Sequence, residues 1–170
     1  MRSTSGPWVP GVTTTARGAR VAPIARAVAV MAIVVIADRI TKHLVRTHIQ
    51  LGHDDRVFSW LRLVHDQNNG VAFGFLSGGG ALVVIVTAIV ALVLLVYFLR
   101  APGRPWLWLS TGLLVGGAIG NLLDRLISGS VTDFIKLPHW PAFNVSDIAI
   151  TIGVISLVLV LEGPGARARP

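Results

Sequence analysis

The chain has 170 residues, 53% of them hydrophobic and 14% charged, against about 25% charged in a soluble domain. With no Cys and a net charge of +7, it is excluded from disulfide frameworks and thiolate chemistry. Its cations are scattered without a stripe or recognition motif, which excludes a nucleic-acid binder and leaves a membrane protein of one domain.

Residues 1–20, MRSTSGPWVPGVTTTARGAR, are rich in Ser, Thr, Gly, Pro and Arg. They cannot bury enough apolar surface to order themselves, so residues 1–22 are read as a flexible tail. A membrane domain is expected over 23–163, with a second short tail over 164–170. The uncharged run 27–37 is followed by DRITKH, not by a small-x-small cleavage site, so it belongs to an uncleaved first span. A crossing takes about 20 residues, and the span must therefore include Asp38, Thr41 and Lys42. Asp38 and Lys42 stand four apart, on one helix face, where a pair of opposite charges is cheaper than either alone.

The segment 46–80 contains VFSWLRLVHDQNNGVAFGFL. Its β-branched and aromatic residues, with NNG as a turn signal, predict a small strand-and-turn element. Phe58, Trp60, Phe73 and Phe75 place that element against the membrane surface. Residues 81–99 form a second span of 19 residues without a charge, and RAPGR breaks the chain after it. A third span is expected over about 106–123, opening on two Trp where an aromatic belt belongs, and a fourth over about 142–161. Four spans put both termini on one side. Eight basic residues lie on that side and seven on the other. The Arg-rich tails favour the cytoplasm for the termini.

In this topology Asp38, Asn68, Asn121, Asp124, Asp133, Asn144 and Asp147 fall at one level, near the outer ends of the spans. Ionisable groups are rare in a bilayer, costing about 2.5–3.5 kcal/mol each at its centre. NLLD sets Asn121 and Asp124 three apart on a helix face, and NVSD does the same for Asn144 and Asp147. Each Asn can donate to a carboxylate and hold its orientation. The glycines of GGAIG let another helix or a ligand approach the third span closely. Two carboxylates about 3 Å apart share a proton, so one activates water while the other assists at a carbonyl. For Asp124 a structural pairing with the neighbouring Arg125 stands beside a functional role. For Asp133 the two readings are even, and for Asp147 the functional one is favoured. His43, His48, His53, His65 and His139 show no metal-ligand motif, and Ser59 and Ser128 have no nucleophile context. A proton-moving transporter would space its acids through the bilayer depth. A non-catalytic scaffold would tolerate Asp-to-Asn changes.

The chain resembles the bacterial lipoprotein signal peptidases, also called signal peptidase II. The matching pieces are DRITK at 38–42, NNGVAFG at 68–74, GGAIGNLLDR at 116–125, GSVTDFI at 129–135 and FNVSDIAI at 143–150. They occur in the family's order and cover roughly 25–162. The resemblance implies an all-α polytopic protein with four transmembrane helices and a small outer-face β-cradle, about 46–80, between helices one and two. It implies an intramembrane aspartyl endopeptidase of the bacterial inner membrane, multi-pass, with cytoplasmic termini and a site near the outer face. The substrate would be a prolipoprotein whose Cys already carries diacylglycerol, cut just before that Cys among membrane lipids, with no cofactor or metal. Globomycin-type inhibitors would bind it. The family's catalytic pair maps to Asp133 and Asp147, and its supporting positions to Asn68, Gly70, Asn121, Asp124, Arg125 and Asn144, with Asp38 and Lys42 as its first-helix pair. The chain departs from the family's usual Ala at Val71 and Ser146, and only 13 residues separate Asp133 from Asp147.

Overall fold

The computed structural model describes residues 15–69 and 79–162, and of the helical residues 15–19 and 79–84 the backbone alone. Gly70, Val71, Phe73, Phe75 and both outermost tails lie outside the described residues. The order of elements is α1 (Thr15–His48), β1 (Asp54–Phe58), β2 (Leu61–Asn68), α2 (Gly79–Arg100), α3 (Leu107–Ser128), β3 (Val131–Lys136) and α4 (Val145–Glu162). α1 starts at Thr15, inside the stretch read as a tail, and runs on through Pro23.

α3 is the central helix and packs against α1, α2 and α4. Its glycines make this possible. A Cβ on Gly112 would sit 2.8 Å from Ala27 O, and one on Gly116 3.1 Å from the Met31 backbone, so α1 lies directly on this face. On another face a Cβ on Gly117 would come within 2.5 Å of Ser146 O, on α4. Small residues thus bring helix backbones into contact, as in membrane helix pairs.

Burial is inverted relative to a soluble bundle. Ile33, Ile36 and Ile40 on α1, Ile89 and Val93 on α2, and Ile155 and Leu159 on α4 are exposed, while Asp38, Lys42, Asp124 and Asn144 are almost wholly buried. α1, α3 and α4 are long and apolar enough to cross a membrane. The apolar run described in α2 is Ile85–Arg100, within a helix of 22 residues. The apolar exterior suits lipid, and the molecule is a multi-pass membrane protein.

The sheet has the order β1-β2-β3, all antiparallel. Its third strand comes from between α3 and α4, so it is not confined to 46–80 as the sequence suggested. Leu63 and Ile135, which pair across β2 and β3, pack on Val45 of α1, on Ile49 just past its end and on Phe134. This small core fixes the sheet to one end of the bundle.

Candidate active site

α3 stops at Gly129, whose φ of 74° suits a residue without a side chain and whose N–H closes on Arg125 O at 3.0 Å. The chain leaves that cap directly into β3, which carries Thr132 and Asp133. After β3 it folds back. Phe143 and Ile135 exchange backbone hydrogen bonds of 3.0 and 2.8 Å. The fold-back delivers Asn144, the next residue, beside Asp133, and α4 begins there. Its first turn is closed reciprocally: Asp147 N donates to Asn144 Oδ1 at 3.0 Å, and Asn144 N donates to Asp147 Oδ2 at 3.1 Å. This is a capping box built from Asn and Asp. The 13 residues between the two Asp therefore suffice for a strand end, a fold-back and a helix start.

Amides hold both carboxylates. Asn144 Nδ2 donates to Asp133 Oδ1 at 2.7 Å, and Asn68 Nδ2, from the end of β2, donates to Asp133 Oδ2 at 3.0 Å. Asn121 Nδ2 donates to Asp147 Oδ1 at 2.8 Å. Asn144 also reaches Asn121 Oδ1 at 3.2 Å, so the amides form one chain across the site. Burial, which leaves Asp133 3% exposed, together with the charge of Asp147, pushes the Asp133 carboxyl up to about 6. The donors Asn68 and Asn144 and the charge of Lys42 only partly oppose this. A cavity of about 280 Å³, lined by Trp140, Phe143, Asp147, Ile148, Thr151 and Ile152, opens beside Asp147.

Beside this group lies a different cluster. Lys42 Nζ is 2.8 Å from Asp38 Oδ2 and 3.0 Å from Asp124 Oδ2, and it donates to Asn121 Oδ1 at 3.1 Å. Arg39 and Arg46 each place a guanidinium nitrogen 2.9 Å from Asp124 Oδ1. Asp124 also accepts from Thr132 N at 3.3 Å, and Asp38 accepts from Ser146 N at 3.0 Å. Gly120 lines this cluster: a Cβ there would collide with Ser146 Oγ and come within 2.8 Å of Asp38 Oδ2.

Of the residues singled out in the sequence, Asp133, Asp147, Asn68, Asn121 and Asn144 share one hydrogen-bonded group, and Asp38, Lys42 and Asp124 the adjoining one. Gly70 lies outside the described residues. The pairing of Asp124 with Arg125 is corrected: its cations are Arg39, Lys42 and Arg46, all from α1. Arg125 instead donates to Asn121 O at 3.3 Å. Successive residues on a helix point about 100° apart and do not face each other. Sequence reading missed Arg39, Arg46, Thr132 and Ser146. Arg39 and Arg46 could have been found on Lys42's helix, at spacings of three and four. Among the described residues no group of three or more His, Cys, Asp or Glu could hold a metal ion.

The model of the signal peptidase (SPase) II family matches residues 30–162. The lipoprotein signal peptidase of Moorella thermoacetica is 43% identical over 140 residues, which cover 81% of this chain and 93% of that protein. That of Halothermothrix orenii is 37% identical over 133 residues, 78% of this chain and 92% of the relative. A solved bacterial membrane enzyme superposes with a TM-score of 0.77 at 31% identity, covering 86% of this chain and 93% of the other.

Proposed function

The chain belongs to the signal peptidase II family, and we propose that Asp133 and Asp147 are the pair with which it cuts its substrates. It removes signal peptides from prolipoproteins. The observation that carries the proposal is Asn144, which hydrogen-bonds both carboxylates at once and so holds them in a fixed relation. No cation hydrogen-bonds either carboxylate among the described residues, so the pair is free to hold a single proton. Burial biases that proton towards Asp133. The ionised partner takes a proton from water as its oxygen adds to the scissile carbonyl, and the protonated one donates to the carbonyl oxygen. Collapse of the tetrahedral intermediate breaks the C–N bond: the leaving amine takes up a proton from one carboxyl, and a hydroxyl of the intermediate returns its proton to the other, which restores the singly protonated pair.

In this reading the bond cut lies just before a Cys that carries diacylglycerol. The apolar cavity beside Asp147 opens towards the lipid-facing side of α4, where Ile148 and Ile152 are exposed. A signal helix and acyl chains can thus remain in lipid while their binding positions the peptide bond. Membrane lipids are the surroundings of the reaction, and globomycin-type peptides would compete at the same site. No cofactor enters the mechanism. All four helices cross the inner membrane with cytoplasmic termini, and the sheet and catalytic pair lie at the outer face. The membrane domain runs from α1 through α4, so that its first helix begins ahead of the expected boundary at 23.

The test is purified protein with a diacylglyceryl prolipoprotein. Mass spectrometry of the product is expected to show a new N-terminal lipidated Cys, and a cut elsewhere, or no cut, refutes the proposal. Because the chain has no native Cys, Ser59→Cys in the turn between β1 and β2 gives a unique label. An impermeant maleimide should reach it from outside intact spheroplasts, and labelling only after lysis would place the sheet on the inner side.

A further inference from the structure

The far edge of the sheet carries an arrangement that the peptidase reading does not use. Arg56 pairs with Arg62 across β1 and β2, and Arg62 pairs with Lys136 across β2 and β3. Residues directly opposite in antiparallel strands share a face, so three cations form a row across the sheet. Like charges so placed destabilise a sheet. The adjacent pair, Leu63 and Ile135, packs towards α1. By the alternation of strands the row points the other way, into the surroundings.

Few acids offset the row. Asp54 lies 2.7 Å from Arg62. Asp55 pairs with Leu63 and so lies on the opposite face, while Asp66 sits farther along β2, opposite Asp133. Among the described residues Arg56 and Lys136 make no ion pair. Arg62 and Lys136 border a cavity of about 250 Å³, completed by Ser59, Trp60, Leu137, Pro138 and His139. Next to it Phe58 and Trp60 are more than half exposed, with rings stacked at 5.7 Å. Trp140, one residue past the cavity, is 63% exposed.

Exposed aromatics beside a cluster of cations with few acids, on a membrane protein, are the side chains suited to the headgroup layer. We propose that this cavity binds the anionic headgroup of a membrane phospholipid. Arg62 and Lys136 face its phosphate, Arg56 adds to the local field, and Phe58 and Trp60 sit at the depth of the glycerol and upper acyl chains. The lipid would relieve the repulsion within the row and seat the sheet on the bilayer. This assignment is independent of the catalytic one, because none of these residues touches Asp133 or Asp147.

The test is native mass spectrometry of the full chain in detergent, titrated with phosphatidylglycerol and with phosphatidylcholine of the same acyl chains. The parent should prefer phosphatidylglycerol by about tenfold or more. Arg62→Gln/Lys136→Gln should weaken that binding by roughly thirtyfold, as expected for two interfacial cations. Asp54→Asn, which removes the competing carboxylate, should strengthen it several-fold, an outcome that a purely structural role would not produce. Equal binding of the two lipids by the parent overturns the proposal. So does displacement of phosphatidylglycerol by inorganic phosphate at equal concentration, which would mark a site for a soluble anion. Unchanged lipid binding in the double variant with a raised KM for prolipoprotein would assign the row to the polypeptide instead. Should the double variant not fold, the parent's preference and the Asp54→Asn gain decide the matter.

Discussion

Two sets of carboxylates lie side by side at one end of this bundle, and the protein treats them in opposite ways. Asp124 is surrounded by Arg39, Lys42 and Arg46. Asp133 and Asp147 accept from Asn68, Asn121 and Asn144. A cation at hydrogen-bond distance fixes a carboxylate in its ionised form, which makes it a rigid strut. An amide fixes position while leaving the charge free to change. The contrast teaches that burial alone does not set the charge of a carboxylate; the kind of partner does. The two sets are joined at Asn121, whose oxygen accepts from Lys42 and whose nitrogen donates to Asp147. The ion cluster thereby fixes which end of this amide faces the pair.

The largest effect should come from the amide-held pair. Asp133→Asn and Asp147→Asn should each reduce the cleavage rate by at least about 10²–10⁴-fold, the range for losing a general acid or base. The double variant should be no slower than either single one, because the two act as a unit. All three should insert in the membrane and elute as monodisperse protein. Cleavage near the parent rate by either single variant would break the comparison at its functional side.

Asp124→Asn probes the other side. It leaves Arg39 and Arg46 without their shared carboxylate and Lys42 with Asp38 alone. Breaking a buried ion pair costs about 3–5 kcal/mol, so melting in detergent should move clearly downwards. Activity should fall with it yet remain measurable, since the pair and its amides are intact. A variant as stable as the parent but wholly inactive would put Asp124 among the catalytic groups.

This division was only partly legible in the sequence. The spacings NLLD and NVSD put Asn121 with Asp124 and Asn144 with Asp147 on shared faces, because helical neighbours at three residues are set by local geometry. That Arg39 and Arg46 share Lys42's side of α1 was legible from their spacing, but that this side meets Asp124 was not. Its partners come from α1, about 80 residues earlier, and which face of α1 turns inward depends on the packing of Gly112 and Gly116. The third strand was hidden for a similar reason. Val131–Lys136 is a short stretch with only three apolar residues among six, its β2 partner is far away in sequence, and its second neighbour is the fold-back at Phe143. The helices themselves were legible, since long apolar runs declare themselves by length. The start of α1 was not, because composition argued for a tail where the backbone is helical.

The smallest effect is one of pH, and it is the finest test of the contrast. The folded protein holds the Asp133 proton more tightly than an unfolded chain does, with the carboxyl raised from 3.8 to about 6. A group raised in this way favours folding while it is protonated in both states and loses that contribution as pH rises. The loss develops between about pH 4 and pH 6 and is complete above that. It amounts to no more than about 3 kcal/mol, at 1.36 kcal/mol per pH unit. Asp133→Asn removes the titration. Its own new contacts, with an amide facing Asn68 and Asn144, carry a penalty that does not vary with pH. The melting temperature of the variant relative to the parent should therefore rise from pH 4 to pH 7, whatever its starting sign. Asp147→Asn takes away one of the two causes that raise Asp133, and in that background the rise should still begin near pH 4 but end at a lower pH and be smaller. Melting curves of the parent, the two single variants and the double variant across this range, in one detergent, would show both trends. A difference that stays flat with pH would mean that Asp133 is held ionised, as Asp124 is, and that amides and cations do not divide the two sets of acids as argued.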